Sequence, residues 1–223
     1  VKYGMQHLYI DNRYTDEQVS QMQSCDGPSK NYYDVLSQDE LKILQEQITK
    51  IQYPETGKTS KYAGASYKDP QGKIIKDIFN DKLEKIIGDH DLDFFAWQEA
   101  INPWKIHADL RWYPDKLPYK VVLFPIDVIS DQETWKDTYT IAFKQRDYLE
   151  GNTNDGKAYK GNTDQAGWTR PCDKSSTRNL VQGHKISRDE HKKYFSHMPY
   201  EFLEGLEIDN IYKWIPGSCV TWD

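Results

Sequence analysis

From residue 93 onward, the sequence breaks into short runs of β-branched and aromatic residues separated by prolines and polar turns. This pattern constrains the fold more than any other feature, because such runs are typical of antiparallel strands. We expect strands within 92–97, 104–110, 119–128, 138–143, 208–214 and 219–222. Helical patterns precede them, so the sequence predicts an α+β, mostly β domain in which a jelly roll is flanked by N-terminal helices.

The N-terminal part, residues 1–92, has a helical pattern. Ser37 and Glu40 have the spacing of a capping box, in which the serine hydroxyl and the glutamate carboxylate each accept a hydrogen bond from the other's backbone amide. Apolar residues at helical spacing follow this box, and the spacing recurs over 74–87. A weaker pattern predicts a short helix over 15–23.

We interpret 1–223 as a single domain whose jelly-roll core, residues 93–223, carries a polar insertion at 151–178. The insertion is rich in glycine and asparagine. Long loops of this kind are either functional or poorly ordered, so both a substrate lid and a disordered excursion stay open. After the insertion, Ser187 and Glu190 form a second capping box that predicts a short helix ending near Phe195.

Composition excludes several classes of function. The net charge of -6 and the lack of a long basic run disfavour a nucleic-acid partner. No stretch approaches the roughly 20 apolar residues of a membrane span, so we expect no membrane partner. The first residues lack the apolar core of a signal peptide, and the three cysteines form no CxxC pair that would indicate a zinc ribbon. We therefore expect reduced thiols and a cytoplasmic location.

His107 and Asp109 are the most chemically specific pair in the sequence. Residues two apart in a strand project from one face, so these side chains can point at one atom. An imidazole and a carboxylate are two of the three ligands in the 2-His-1-carboxylate triad that holds Fe(II). The alternative is an ordinary hydrogen-bonded pair, either on the surface or across neighbouring strands.

Several segments around this pair carry a family resemblance. They are Trp104–Asp109, Pro118–Ile126, Thr138–Arg146, His197–Ile208 and Trp214–Asp223, the last containing a W-x-P-G turn. Together they resemble the Fe(II)/2-oxoglutarate-dependent oxygenases, in particular the phytanoyl-CoA-hydroxylase-like and viral or marine-bacterial branch. The resemblance implies a double-stranded β-helix of the cupin type. It also implies Fe(II) held by His107 and Asp109, 2-oxoglutarate and O2 as cosubstrates, and a small organic substrate.

The sequence departs from the family pattern at its C-terminal end. In the family, the W-x-P-G turn is followed by a Trp or Phe and then an Asp, which correspond to Trp222 and Asp223 here. A second histidine and then an Arg or Lys follow that pair in the family, but this sequence ends at Asp223. We expect the natural protein to continue beyond that point. The alternative is that the chain is complete and has lost a ligand, which would make it a catalytically inactive cupin-like binding or structural module. No oligomeric state is predicted.

Other residues are candidates for supporting roles. Lys120 and Arg146 lie near the predicted site strands, where a cation can pair with a carboxylate of the cosubstrate. Among the downstream histidines, His184 is the least implausible substitute for the third ligand, but no motif assigns it and we expect none of the three to bind the metal. We expect His191 to be solvated on a charged helix, and His197 to pack or to cap a helix.

Overall fold

A computed structural model describes a large part of the chain. The described residues are 28–53, 55–56, 60–65, 70–90, 95–104, 106–107, 120–128, 137–144, 153–154 and 181–222. The predicted helix over 15–23, Asp109, Arg146 and nearly all of the insertion lie outside these residues. Within them, the protein is a mixed α/β structure with several small antiparallel sheets.

Three α-helices are present in the described ranges, and none of them is long and apolar enough to cross a membrane. Their bounds are Gln38–Ile48 (α1), Pro70–Ile87 (α2) and Arg188–Tyr194 (α3). A short 3-10 helix, Tyr200–Leu203, follows α3. Both predicted capping boxes are confirmed. In the first, the amide of Ser37 donates to Glu40 Oε2 at 2.8 Å and the amide of Glu40 donates to Ser37 Oγ at 3.3 Å.

The strands are short. Their bounds are Lys30–Tyr32 (β1), Glu55–Thr56 (β2), Ser60–Ala65 (β3), Phe95–Ala100 (β4), Ile106–His107 (β5), Val121–Leu123 (β6), Tyr139–Phe143 (β7), Thr153–Asn154 (β8), Ile208–Lys213 (β9) and Cys219–Trp222 (β10). They form four antiparallel sheets with the strand orders β1-β10-β6, β2-β3-β4, β5-β8 and β7-β9.

The observed strands agree best with the sequence pattern at the C-terminal end. Strand β10 covers the predicted 219–222, and β7 and β9 each agree with prediction to within one residue. The sequence pattern did not predict strands β1, β2 and β3, which lie in the N-terminal part that we expected to be helical. Strand β3 contains no β-branched residue, so its conformation comes from pairing with β4 rather than from its own propensity.

Helices α1 and α2 cover one face of the β1-β10-β6 sheet. Leu44 and Phe79 are buried in the shared core, and Val122 and Phe124 of the β6 segment pack against it. The rings of Phe79 and Phe124 have centroids 4.4 Å apart. All of Cys219, Val220 and Thr221 are buried, with exposures of 3% or less. Because successive strand residues point to opposite faces, both faces of β10 are covered.

Ala63 of β3 and Trp97 of β4 also belong to this first core, and a second core lies around α3. Its buried members are Ile106, Ile186, Phe195, Met198, Leu203 and Leu206. Ile141 and Phe143 of β7 and Ile208 of β9 pack against them. This core therefore ties the β7-β9 sheet and strand β5 to the segment around α3.

The turn between β9 and β10 is held by backbone hydrogen bonds from two distant segments. The carbonyl of Gly217 accepts from the amides of Val35 and Leu36 at 3.0 and 3.1 Å, and the amide of Gly217 donates to Pro125 O at 3.0 Å. Gly217 has a φ of +86°, in the left-handed region that favours glycine. The W-x-P-G turn thus connects α1, β6 and β10.

Candidate functional site

The backbone of His107 lies in strand β5, paired with Thr153 of β8. The residue before it, Ile106, is buried in the second core with Phe195 and Met198. Of the strand predicted over 104–110, residues 106 and 107 are extended and anchored, and residues 108–110 lie outside the described residues. Asp109 lies outside the described residues, so its convergence with His107 remains a prediction.

His197 anchors the segment that leads into β5. Its Nε2 lies 3.1 Å from the carbonyl oxygen of Trp104. A carbonyl only accepts hydrogen bonds, so Nε2 carries the proton. Partial desolvation of the ring lowers the pKa of His197, although the hydrogen bond to the Trp104 carbonyl opposes this effect. His197 is exposed, so it fixes the loop before His107 through this hydrogen bond and not by the packing or helix capping that we expected.

His191 differs from its expected role. It is half-buried on α3, and its Nε2 donates to the carbonyl oxygen of Met198 at 2.8 Å. The prediction that it is solvated was wrong, because the chain turns back after α3 and brings Met198 against the helix. The charged residues around His191 in the sequence carry no signal for this contact with Met198.

His184 stacks on Tyr200 instead of standing alone in a loop. The two ring centroids are 4.1 Å apart with an interplanar angle of 14°. The guanidinium carbon of Arg188 lies 3.7 Å from the same centroid. Two groups this close to one ring centroid would overlap on a single face, so they occupy opposite faces of Tyr200. The Tyr200 hydroxyl donates to Ile186 O at 2.8 Å, which fixes the stack.

No group of three His, Cys, Asp or Glu side chains within the described part of the chain comes together to hold a metal ion. His184, His191 and His197 belong to that part, and the contacts above account for each of their rings. The predicted pair is not tested by this observation, because it depends on Asp109.

Lys120 lines a cleft of about 240 Å³. The described residues around it are Pro28, Lys30, Tyr32, Ile86, Ile87, Lys120 and Thr221. They come from β1 and β10, from the residues just before β1 and β6, and from the C-terminal end of α2, and no predicted iron ligand is among these described residues. Arg146, the other cation expected to contact the cosubstrate, lies outside the described residues.

A polar cluster that the sequence did not predict joins Ser29 to strand β9. The Ser29 hydroxyl donates to Asp209 Oδ2 at 2.7 Å and lies 3.0 Å from the hydroxyl of Tyr212. Asn210 Nδ2 donates to the same carboxylate oxygen at 3.2 Å. Asp209 is the extra residue where the β7-β9 register shifts, and such bulges redirect side chains. Neither the bulge nor the contact with Ser29 has a signal in the local sequence.

Comparisons with protein-family models, curated proteins and solved structures found no match for this chain.

Proposed function

We propose that the protein is a non-haem Fe(II)/2-oxoglutarate-dependent dioxygenase that hydroxylates or otherwise oxidises a small organic substrate. The observation that carries the proposal is the His107-Ala108-Asp109 motif, embedded in a series of segments that resemble this family. The position of His107 in strand β5, next to the buried Ile106, supports the strand geometry that the motif requires.

The strand pairing supports a jelly roll, or double-stranded β-helix, as the fold. Strand β7 pairs with β9, and β6, which precedes them, pairs with β10, which follows them. The two pairs are nested in sequence and lie in different sheets. A jelly roll is built from such nested antiparallel pairs distributed over two packed sheets. The burial of β10 on both faces agrees with this two-layer arrangement.

His107 and Asp109 would hold the metal in this proposal. A neutral imidazole and an ionised carboxylate are the donors that a non-haem Fe(II) site uses. Iron bound there would supply oxygen activation coupled to oxidation of 2-oxoglutarate. The chain's own residues would fix the ligands and orient the substrate, and Lys120 and Arg146 stay candidates for a carboxylate of the cosubstrate. The third protein ligand is not assigned.

Metal binding to the 223-residue chain tests the site directly. We expect Mn(II), used as an air-stable substitute for Fe(II), to bind the wild type, and we expect His107→Ala and Asp109→Ala each to abolish binding. His90→Ala is the matched control, because the Nδ1 of His90 already contacts the carbonyl of Gly88 at 2.8 Å. Loss of binding in the control as well as in the site variants would contradict the assignment.

Turnover tests the activity. With Fe(II) and O2, the protein should convert 2-oxoglutarate to succinate, faster when the correct substrate is present, and His107→Ala should stop this conversion. A protein that binds no metal and shows no succinate formation would instead be the inactive cupin-like binding or structural module.

A further inference from the structure

We propose that a small uncharged polyol binds between the β1-β10-β6 sheet and the β7-β9 sheet. One face of the first sheet is turned towards α1 and α2, because Val122 of β6 packs against the core that these helices share. The next residue, Leu123, therefore points away from the helices. Leu123 is paired with Val220, and Val220 is paired with Asn31. Residues paired across antiparallel strands share a face, so these three form a row on the inner face of this sheet.

The β7-β9 sheet has an inner face of its own. Ile141 of β7 packs against the second core, so its neighbours Thr140 and Ala142 point away from that core. Their partners on β9 are Tyr212 and Asn210. These four residues are half-buried, so this face is neither fully packed nor freely exposed.

Ser29 joins the two inner faces. It lies two positions before Asn31 and is buried, with an exposure of 6%. Its hydroxyl lies 3.0 Å from the hydroxyl of Tyr212 and accepts from Asn210 Nδ2 at 3.3 Å. Both of these partners belong to the inner face of the β7-β9 sheet. The two inner faces therefore approach each other beside Ser29.

The chemistry of the inner faces indicates an uncharged ligand. Inner faces of packed sheets normally form an apolar core, with polar residues on the outside. Here each inner face carries amide or hydroxyl side chains, and no Lys or Arg is among the described residues placed on them. The nearby carboxylate of Asp209 already accepts hydrogen bonds from Ser29 and Asn210. The groups that line this space are thus neutral donors and acceptors.

Asn31 provides the observation that points to a bound molecule. Its Oδ1 atom is buried, and it has no hydrogen-bond partner in the part of the chain that the structure describes. A buried acceptor without a partner is destabilising, so such an atom calls for a donor from outside the chain. A hydroxyl group donates to Oδ1 and can also accept from an amide or a second hydroxyl. A molecule with several hydroxyls can therefore contact both inner faces at once.

An ordered water that donates to Asn31 Oδ1 is the competing explanation. The two explanations differ in whether an added polyol gives a saturable response. That response can be measured on the metal-free chain, so it does not depend on the dioxygenase proposal.

The indole of Trp214 reports on the site. Its Nε1–H donates to Thr140 Oγ1 at 2.8 Å, on the inner face of the β7-β9 sheet. We expect myo-inositol or D-glucose to shift the NMR signal of this indole N–H saturably, and Trp214→Phe assigns the signal by removing it. Trp97, which is buried in the first core, is the internal control. No saturable shift with either polyol, or an equal shift of the Trp97 signal, would overturn the proposal.

Cyclohexanol tests the ligand class. It has the carbon ring of myo-inositol but a single hydroxyl, so it leaves most of the polar groups on the inner faces unpaired. We expect it to bind at least about tenfold more weakly than myo-inositol. Equal affinity for the two compounds would show that the site selects a ring and not its hydroxyls, and would contradict the proposal.

Substitution of Asn31 separates a binding role from a structural one. Asn31→Leu removes the unpaired Oδ1 and keeps a side chain of similar size, so the variant should melt at the same temperature as wild type or higher. The same change should weaken polyol binding by about tenfold or more. Asn80→Leu is the control, because Asn80 is exposed on α2. Unchanged polyol affinity in Asn31→Leu would overturn the proposal, and Asn31→Ala provides the same test if the leucine variant does not fold.

That the bound polyol is also the substrate rests on the proposed dioxygenase. In that case the polyol that binds should speed succinate formation, and Asn31→Leu should raise its KM. Polyol binding without any succinate formation would contradict the dioxygenase and leave the binding site standing. Succinate formation by a protein that binds no polyol would contradict the binding site alone.

Discussion

Replacing Gly217 by alanine tests whether the W-x-P-G turn holds the segment before α1 against the end of β6. With a φ of +86°, Gly217 has a backbone conformation that costs an L-residue about 1–2 kcal/mol. An added Cβ would lie 3.4 Å from the Leu36 carbonyl oxygen and 3.7 Å from Leu36 Cβ, which is contact without severe overlap. The steric term is therefore small, and backbone strain is the first contribution to the loss of stability.

The second contribution comes from hydrogen bonds. If alanine relaxes towards a less strained φ, the carbonyl of Gly217 moves away from the amides of Val35 and Leu36. Weakening one such bond costs about 0.5–1.5 kcal/mol. The sum predicts a loss of about 1.5–3.5 kcal/mol for Gly217→Ala.

Gly88 is a matched control for this substitution. It has a φ of +79° at the end of α2, and a Cβ added there would meet nothing within 4 Å. Gly88→Ala should therefore cost only the backbone strain of about 1–2 kcal/mol. Urea denaturation of the two variants and the wild type gives both free energies of unfolding. An effect of Gly217→Ala no larger than that of Gly88→Ala would refute the role of the turn.

Three further predictions concern single side chains. Burial raises the pKa of the Cys219 thiol to about 12, so iodoacetamide should modify this thiol at pH 8 only after denaturation. Mass spectrometry of the peptide that contains Cys219 measures the modification, and modification of the folded protein would contradict the prediction. Ser29→Ala removes the donor 2.7 Å from the Asp209 carboxylate and should cost about 1–3 kcal/mol in urea denaturation, whereas the exposed Ser196→Ala should change stability by less than about 0.5 kcal/mol. The backbone amide of the N-cap residue Ser187 donates to the Glu190 carboxylate and lowers the pKa of that carboxyl group. The stabilisation that this hydrogen bond contributes is therefore complete above the ordinary pKa of about 4.3, and it is lost as the pH falls through the lowered pKa. The melting temperatures of wild type and Glu190→Gln should therefore converge in acid, and a constant difference would contradict the assignment.

The features that the sequence predicted correctly are those with a local cause. A capping box needs only a serine and a glutamate three residues apart, so the starts of α1 and α3 were predicted to the residue. Strand β10 follows from a short run of residues with high β propensity after a Pro-Gly turn.

The missed features depend on contacts between distant residues. Strand β3 consists of Ser60–Ala65, which contains little that favours an extended backbone by itself, and the pairing with β4 provides the conformation. The same reason applies to the candidate site. The strand of His107 could be predicted from its own pattern, but the hydrogen bond of His191 to Met198 and the contact of Ser29 with Asp209 could not.

The position of β10 between β1 and β6 has a consequence for biosynthesis. Residues 30–32 leave the ribosome early, yet their only observed sheet partner is at 219–222, nearly the whole chain later. The three-stranded sheet therefore cannot assemble until translation has passed residue 222, and β1 and β6 must wait with unpaired edges. During that interval the nascent chain is most exposed to chaperones and to aggregation.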